Sequence, residues 1–129
     1  MFKIDKKTNT FHVTRGDIGA FEVVANISDD PEIEELYIFQ PNDVVRFKVF
    51  ERKNVDNIKL KKDVVVTEPT EVVNISLTKE NTKIGDLINK PVTYWYEIEL
   101  NPDTNPQTII CYDELGEKSF IIYPEGDEE

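Results

Sequence analysis

A chain of 129 residues with 39% hydrophobic and 10% aromatic content can bury one sizeable core but not two, and is too apolar to be a disordered polymer. Its formal net charge of -11 argues against nucleic acid as a ligand, because phosphate binding needs clustered Lys and Arg. One cysteine, Cys111, excludes an internal disulfide, and no apolar run reaches the ~18 residues needed to cross a bilayer.

The start of the chain, Met1-Phe2-Lys3-Ile4-Asp5, has no signal-peptide apolar stretch, so the protein is expected to be made in the cytoplasm and to stay soluble. Phe2 and Ile4 alternate with charged residues, Phe11 and Val13 alternate within Thr10 to Thr14, and the polar Lys6-Lys7-Thr8-Asn9 between them predicts a hairpin. Gly16 and Gly19 mark a reversal or a close backbone approach. Ala20 to Ile27 reads as a strand with Phe21, Val23, Ala25 and Ile27 on the core face, ended by Ser28-Asp29-Asp30-Pro31. An acidic loop, Glu32 to Glu35, leads into a short strand or edge segment, Leu36 to Phe39, and Pro41-Asn42-Asp43 turns the chain.

Val44 to Glu51 predicts a strong strand with Val45, Phe47 and Val49 inward and Arg46 and Lys48 outward. Arg52 to Ile58 reads as a polar loop, Leu60 to Val66 as the partner strand, and Glu71 to Leu77 as the next, with Val73, Ile75 and Leu77 inward. Thr78 to Gly85 is the one helix expected: Thr78 can cap it and Gly85 can stop it. Such a short helix must lie against the sheet.

Val92 to Leu100 is the most aromatic run and the strand on which the others are organised. Tyr94, Tyr96, Ile98 and Leu100 share the core face, and Trp95, Glu97 and Glu99 face away. Gln107 to Tyr112 and Ser119 to Tyr123 complete the set, joined through Asp113 to Glu117 as a hairpin connection. Pro124 to Glu129, with four acids, is expected to be a flexible acidic tail after a single domain spanning 1–123. About eight or nine short strands with turn signals every 8–12 residues predict an all-β, antiparallel β-sandwich, Ig-like or related, with one short helix around 78–85. Its core is expected to include Phe21, Val23, Phe47, Val49, Ile75, Leu77, Tyr96, Ile98, Ile110 and Phe120.

No catalytic cluster stands out, and the residues call for no cofactor and no metal. His12 is the one histidine, expected to be exposed on a strand, and Cys111 sits in an apolar run as a buried thiol, so neither a zinc site nor a catalytic triad can be assembled. Glu97 and Glu99 read as a solvated face rather than a facing acid pair. Asp29, Asp30, Glu32, Glu34 and Glu35 could supply oxygens to Ca²⁺, but lack the ordered alternation and fixed glycine of an EF-hand loop. Arg15-Gly16-Asp17 matches the integrin-binding tripeptide, yet reads as a structural turn in which Asp17 accepts backbone hydrogen bonds.

The charge distribution says more. Seven cations, Arg46, Lys48, Arg52, Lys53, Lys59, Lys61 and Lys62, stand against two acids between positions 46 and 62, a basic stripe in an acidic chain. Such segregation suits head-to-tail pairing or an acidic partner, with intramolecular pairing to neighbouring strands as the plainer reading. Trp95, pointing away from the core, is either covered, with Thr78 to Gly85 the favoured cover, or an interface anchor.

The ordered set Arg15-Gly16-Asp17, Asp43-x-x-x-Phe47-x-Val49, Leu77-Thr78-x-Glu80-x-Thr82, Tyr94-x-Tyr96-x-Ile98-x-Leu100, Thr108-Ile109 and Phe120-x-Ile122-x-Pro124-Glu125-Gly126 resembles the small β-sandwich domain of phages and prophages of Gram-positive bacteria. It is similar to the N-terminal domain of baseplate upper proteins over roughly Thr10 to Gly126. The resemblance implies a non-enzymatic structural or assembly component of a phage tail, baseplate or tail-like particle. Such a protein would be synthesised in the bacterial cytoplasm and partnered by other tail proteins or by itself as a homo-oligomer. In those proteins a shaft and receptor-binding head follow; neither is present up to Glu129, which points to a free-standing decoration or assembly component. The alternative function is an acidic inhibitor or adaptor that occupies a basic groove of a host protein.

Overall fold

The computed structural model describes residues 1–30, 32–52, 54–85, 89–110 and 117–125. The chain forms β1 (Phe2–Asp5), β2 (Thr10–Thr14), β3 (Gly19–Val23), β4 (Val44–Glu51), β5 (Asn54–Val65), β6 (Val73–Leu77), α1 (Lys79–Thr82), β7 (Val92–Leu100), β8 (Gln107–Ile110) and β9 (Ser119–Tyr123). A seven-stranded sheet runs β1-β2-β9-β7-β4-β5, with β8 also paired to β7, and a two-stranded sheet of β3 and β6 packs across it. The fold is an all-β sandwich.

β7 is the centre of the large sheet because it is the one strand whose alternation is both long and aromatic. One edge pairs with β4 along Trp95 to Leu100. The other is shared: Val92 to Trp95 pair with β9, and Ile98 to Leu100 pair with β8. Tyr94, Tyr96, Ile98 and Leu100 are buried, while the residues between them stay half-exposed. Phe11, Phe21, Phe47, Tyr96 and Phe120 close the core between the sheets. Phe11 meets Phe21 and Tyr96 edge-on, each at 4.9 Å between ring centroids, the arrangement that sets a positive ring edge against a negative face. Of the expected core, Ile110 alone is only partly buried; it lies on β8, which among the described residues has β7 as its one paired neighbour.

Gly19 shows why the chain carries glycine where the sheets meet. A Cβ there would stand 2.2 Å from Cγ of Phe2, so the Phe2 ring occupies the space a side chain would need. Gly16 has φ +89°, the left-handed region that favours glycine.

Several expectations are corrected. One pair is parallel, β2 with β9, in an otherwise antiparallel sheet; the β1–β2 hairpin inserts beside the last strand. The strand expected to reach Ile27 stops at Val23, and Ile27 is exposed, because the chain leaves the sheet there. It forms a ribbon of its own, with Ile27 N donating to Glu35 O and Tyr37 N to Ala25 O, both at 2.8 Å. Leu36 and Phe39 make isolated bridges to Asn26 and Thr70 instead of a strand. The expected polar loop after Arg52 is strand from Asn54 onward, with register shifts around Phe50 that accommodate the twist of a long hairpin. β6 begins at Val73 rather than Glu71. The helix is one turn: Thr78 and Asn81 form a reciprocal capping box, and Gly85 at φ +75° marks the stop. Cys111, Tyr112 and most of the Asp113 to Glu117 connection lie outside the described residues, as does the stretch 126–129 of the expected tail.

Candidate functional site

The strand register decides the fate of the basic stripe. β4 alternates Val45, Phe47 and Val49 into the core, which turns Arg46 and Lys48 outward. Opposite Arg46 the register sets Asp63 on β5 and Glu99 on β7; opposite Lys48 it sets Lys61 and Glu97. Arg46 donates to both oxygens of Asp63, at 2.8 and 3.0 Å, and forks onto Asp103 at 2.9 and 3.3 Å. Hydrogen bonding to Arg46 holds the Asp63 carboxyl below the usual carboxylate range, and the same bonds raise the guanidinium pKa further. Lys48 Nζ lies 2.8 Å from Glu97 and 3.5 Å from Glu99. Burial disfavours its charge, but the bond to Glu97 and the field of both carboxylates outweigh that and raise its pKa.

The remaining cations lie along the margin. Lys59 reaches Glu51 only at 4.0 Å. Arg52 and Lys61 are exposed, Lys62 is half-exposed on the same face of β5 as Leu60, and none of the three makes an ion pair among the described residues. Lys53 lies outside the described residues. The described cations therefore divide: Arg46 and Lys48 are neutralised in the sheet, Lys59 has one distant partner, and Arg52, Lys61 and Lys62 make no ion pair among the described residues.

Trp95 points away from the core, between Phe50 on β4 and Ser119 on β9, and is half-buried. Its indole Nε1 is buried without a hydrogen-bond partner among the described residues. The 78–85 segment lies elsewhere: Thr82 donates to Asp17 O at 2.8 Å, Ile84 joins the core, and Gly85 lies beside the hydroxyl of Tyr94, which faces opposite to Trp95. The expected helical cover of Trp95 is thereby corrected.

Arg15, Gly16 and Asp17 form a reversal fixed from several sides. Arg15 N donates to Tyr123 O and Asp17 N to Thr14 O, each at 3.0 Å, and the Arg15 guanidinium bonds Gly85 O at 2.9 Å and the Glu125 carboxylate. Glu125, expected in a flexible tail, is held by this contact. The side chain expected to accept backbone amides does not do so: the Asp17 carboxylate contacts the Met1 amino group, and the Asp17 main chain makes the turn's bonds. His12, expected to be exposed, is half-buried with Nδ1 2.8 Å from the Tyr123 hydroxyl.

Sequence reasoning missed two features. The first is a polar cluster around Asp43, which accepts hydrogen bonds from Tyr37 Oη at 2.7 Å, Gln40 N at 2.8 Å and Asn101 Nδ2 at 3.0 Å. Burial works to raise the Asp43 pKa, but these bonds outweigh it and the carboxyl is held below its ordinary value. The cluster ties the 37–43 turn to the end of β7. The second is a groove of about 680 Å³ between β8 and the 24–37 ribbon, lined in part by Ala25, Leu36, Tyr37, Leu100 and Ile109, with Glu34 among its lining. Asp29, Asp30, Glu32 and Glu35 are exposed on the same loop, and no cluster suited to a metal ion occurs among the described residues.

Comparison with family models, with curated proteins and with solved structures finds no match.

Proposed function

We propose that the protein is a non-enzymatic assembly component of a phage tail, baseplate or tail-like particle. The observation that carries this reading is the segregation of charge at open strand edges: Lys61 and Lys62 on β5, which make no ion pair among the described residues, with Lys59 reaching Glu51 only at 4.0 Å, and exposed acids beside an apolar groove next to β8. Open strand edges and a groove suit a protein that docks against other proteins. The ordered motifs that resemble baseplate domains direct the reading to tails.

The test is placement in a particle. The chain, epitope-tagged in its source bacterium, is followed through prophage induction and density-gradient separation. Co-migration with tail structures, and tagged sites on them in electron micrographs, is the expected outcome. Recovery of the tagged chain only in the soluble fractions at the top of the gradient, with tails present lower down, overturns it. Under that outcome the acidic inhibitor or adaptor, using the 29–35 loop, becomes the better reading.

A further inference from the structure

Two edges of the large sheet, β5 and β8, are complementary in charge and, among the described residues, each has one side of its ladder unpaired. β5, twelve residues long, pairs only with β4 among the described residues. Its cations Lys59, Lys61 and Lys62 are interspersed with exposed apolar side chains, Val55, Ile58 and Val65, at 57%, 45% and 57% exposure. Among the described residues β8 pairs only with the end of β7, and its residues Gln107 and Thr108 are exposed beside the groove. Val24 and Ile27, exposed residues of the groove lining, and Ile33 on the loop supply apolar surface there. The five acids at 29, 30, 32, 34 and 35 make no ion pair among the described residues.

Lysines on an edge strand ordinarily prevent that edge from pairing with another like it. Two β5 edges brought together would set lysine against lysine, so a symmetric β5-to-β5 contact is repulsive. The same lysines favour an edge bordered by acids. This chain carries such an edge itself, on the far side of β7, with apolar lining to receive Val55, Ile58 or Val65.

We propose that the β5 edge of one copy seats in the groove between β8 and the 24–37 ribbon of a second copy, extending the sheet from molecule to molecule. The proposal rests on the assembly reading above and names its partner as the chain itself. Because the two patches differ, the contact is heterologous and head to tail, and repeats into a ring or an open stack. Charge steers the encounter and rejects the like-with-like registers, while the apolar residues and the ladder hold the docked pair.

Charge exchange tests it. One variant carries Lys59→Glu, Lys61→Glu and Lys62→Glu; the other carries Glu32→Lys, Glu34→Lys and Glu35→Lys. Sedimentation velocity over a concentration series at low salt should show the wild type associating. Each variant alone should associate about tenfold more weakly or less, since exposed pairs become repulsions. An equimolar mixture should regain association, because each variant's edge then matches the other's groove. Wild-type association should weaken at ~1 M salt, where the Debye length is about 3 Å. A wild type that stays monomeric at low salt and high concentration overturns the proposal, as does a mixture that fails to regain association. Should a triple reversal not fold by circular dichroism, Lys61→Glu paired with Glu34→Lys takes its place. None of these outcomes bears on whether the chain bands with tails, so the two readings fail separately.

Discussion

Arg46 and Lys48, on β4 between two neighbouring strands, each meet two carboxylates; Lys61 and Lys62, one strand further out, make no ion pair among the described residues. All four belong to one run of sequence. What separates them is register: a strand flanked on both sides has two neighbours from which to draw opposite charge, and a margin strand has one. On β5 that single neighbour presents Lys48 opposite Lys61. The same contrast holds for apolar residues. Ile98, on β7 with β4 on one side and β8 on the other, is 2% exposed, whereas Val65 on β5 is 57% exposed.

The sharpest test of that contrast is truncation. Ile98→Ala should cost about 2–5 kcal/mol, because the cavity lies in a core closed by both sheets. Val65→Ala should cost less than about 0.5 kcal/mol, as surface changes do. Urea unfolding of both checks the pair. A cost below about 0.5 kcal/mol at Ile98 would mean that β7 does not organise the core.

The charged pair of sites should separate in the same direction by less. Arg46→Met should cost about 1–2 kcal/mol, between the ~0.2–1 of an exposed ion pair and the ~1.5–3 of a well-formed charged hydrogen bond. Lys61→Met should be near neutral in a monomer. Equal effects from chemical denaturation at one salt concentration would mean that the Arg46 fork onto Asp63 and Asp103 contributes no more than a surface charge.

The middle of the sheet could be read from the sequence because burial alternates there with period 2. The bounds expected for the β1–β2 hairpin, β4, β7 and β9 match those observed. Pairing was less legible. Nothing in Phe11-His12-Val13 or Phe120-Ile121-Ile122 announces that these strands run parallel, since alternation records a face and not a neighbour. The first half of β5, Asn54 to Ile58, read as loop because a margin strand exposed on both faces has no apolar alternation to show. Ile27 misled in the opposite way: it continues the alternation of Phe21 and Val23, but its amide turns to Glu35. The basic stripe was visible as a cluster of cations, but its division into neutralised and available members required the register. The groove was invisible, because its walls come from stretches some seventy residues apart in the sequence, 24–37 and 100–109.

Acid should act at the turns and pairs that fix the sheet. Asp43 and Asp63 both have carboxyls held below the ordinary range in the folded chain, Asp43 by the net of its hydrogen bonds against burial and Asp63 by Arg46 first. A carboxyl of lowered folded pKa contributes stability that is fully present above the unfolded value of about 3.9 and is lost as pH falls through the folded value. The urea midpoint should therefore hold above about pH 5 and decline below about pH 4. Asp43→Asn should be less stable at neutral pH and show a shallower acid decline. A variant whose acid decline matches the wild type would remove Asp43 from the account.

The smallest expected difference lies within the Arg15-Gly16-Asp17 turn, and it separates main chain from side chain. Gly16 sits at φ +89° with only ordinary contacts awaiting a Cβ, the nearest at 3.6 Å from Lys83 Cε. Gly16→Ala therefore tests backbone strain rather than crowding, at about 1–2 kcal/mol. Asp17 holds the turn through its amide to Thr14 and its carbonyl from Thr82, bonds that alanine keeps. Its carboxylate is 44% exposed, so Asp17→Ala should shift stability by no more than about 0.5 kcal/mol. Thermal melts of the two variants should rank them with Gly16→Ala the lower. If Asp17→Ala proved the more damaging, the side chain would be holding the reversal and the backbone bonds would be secondary.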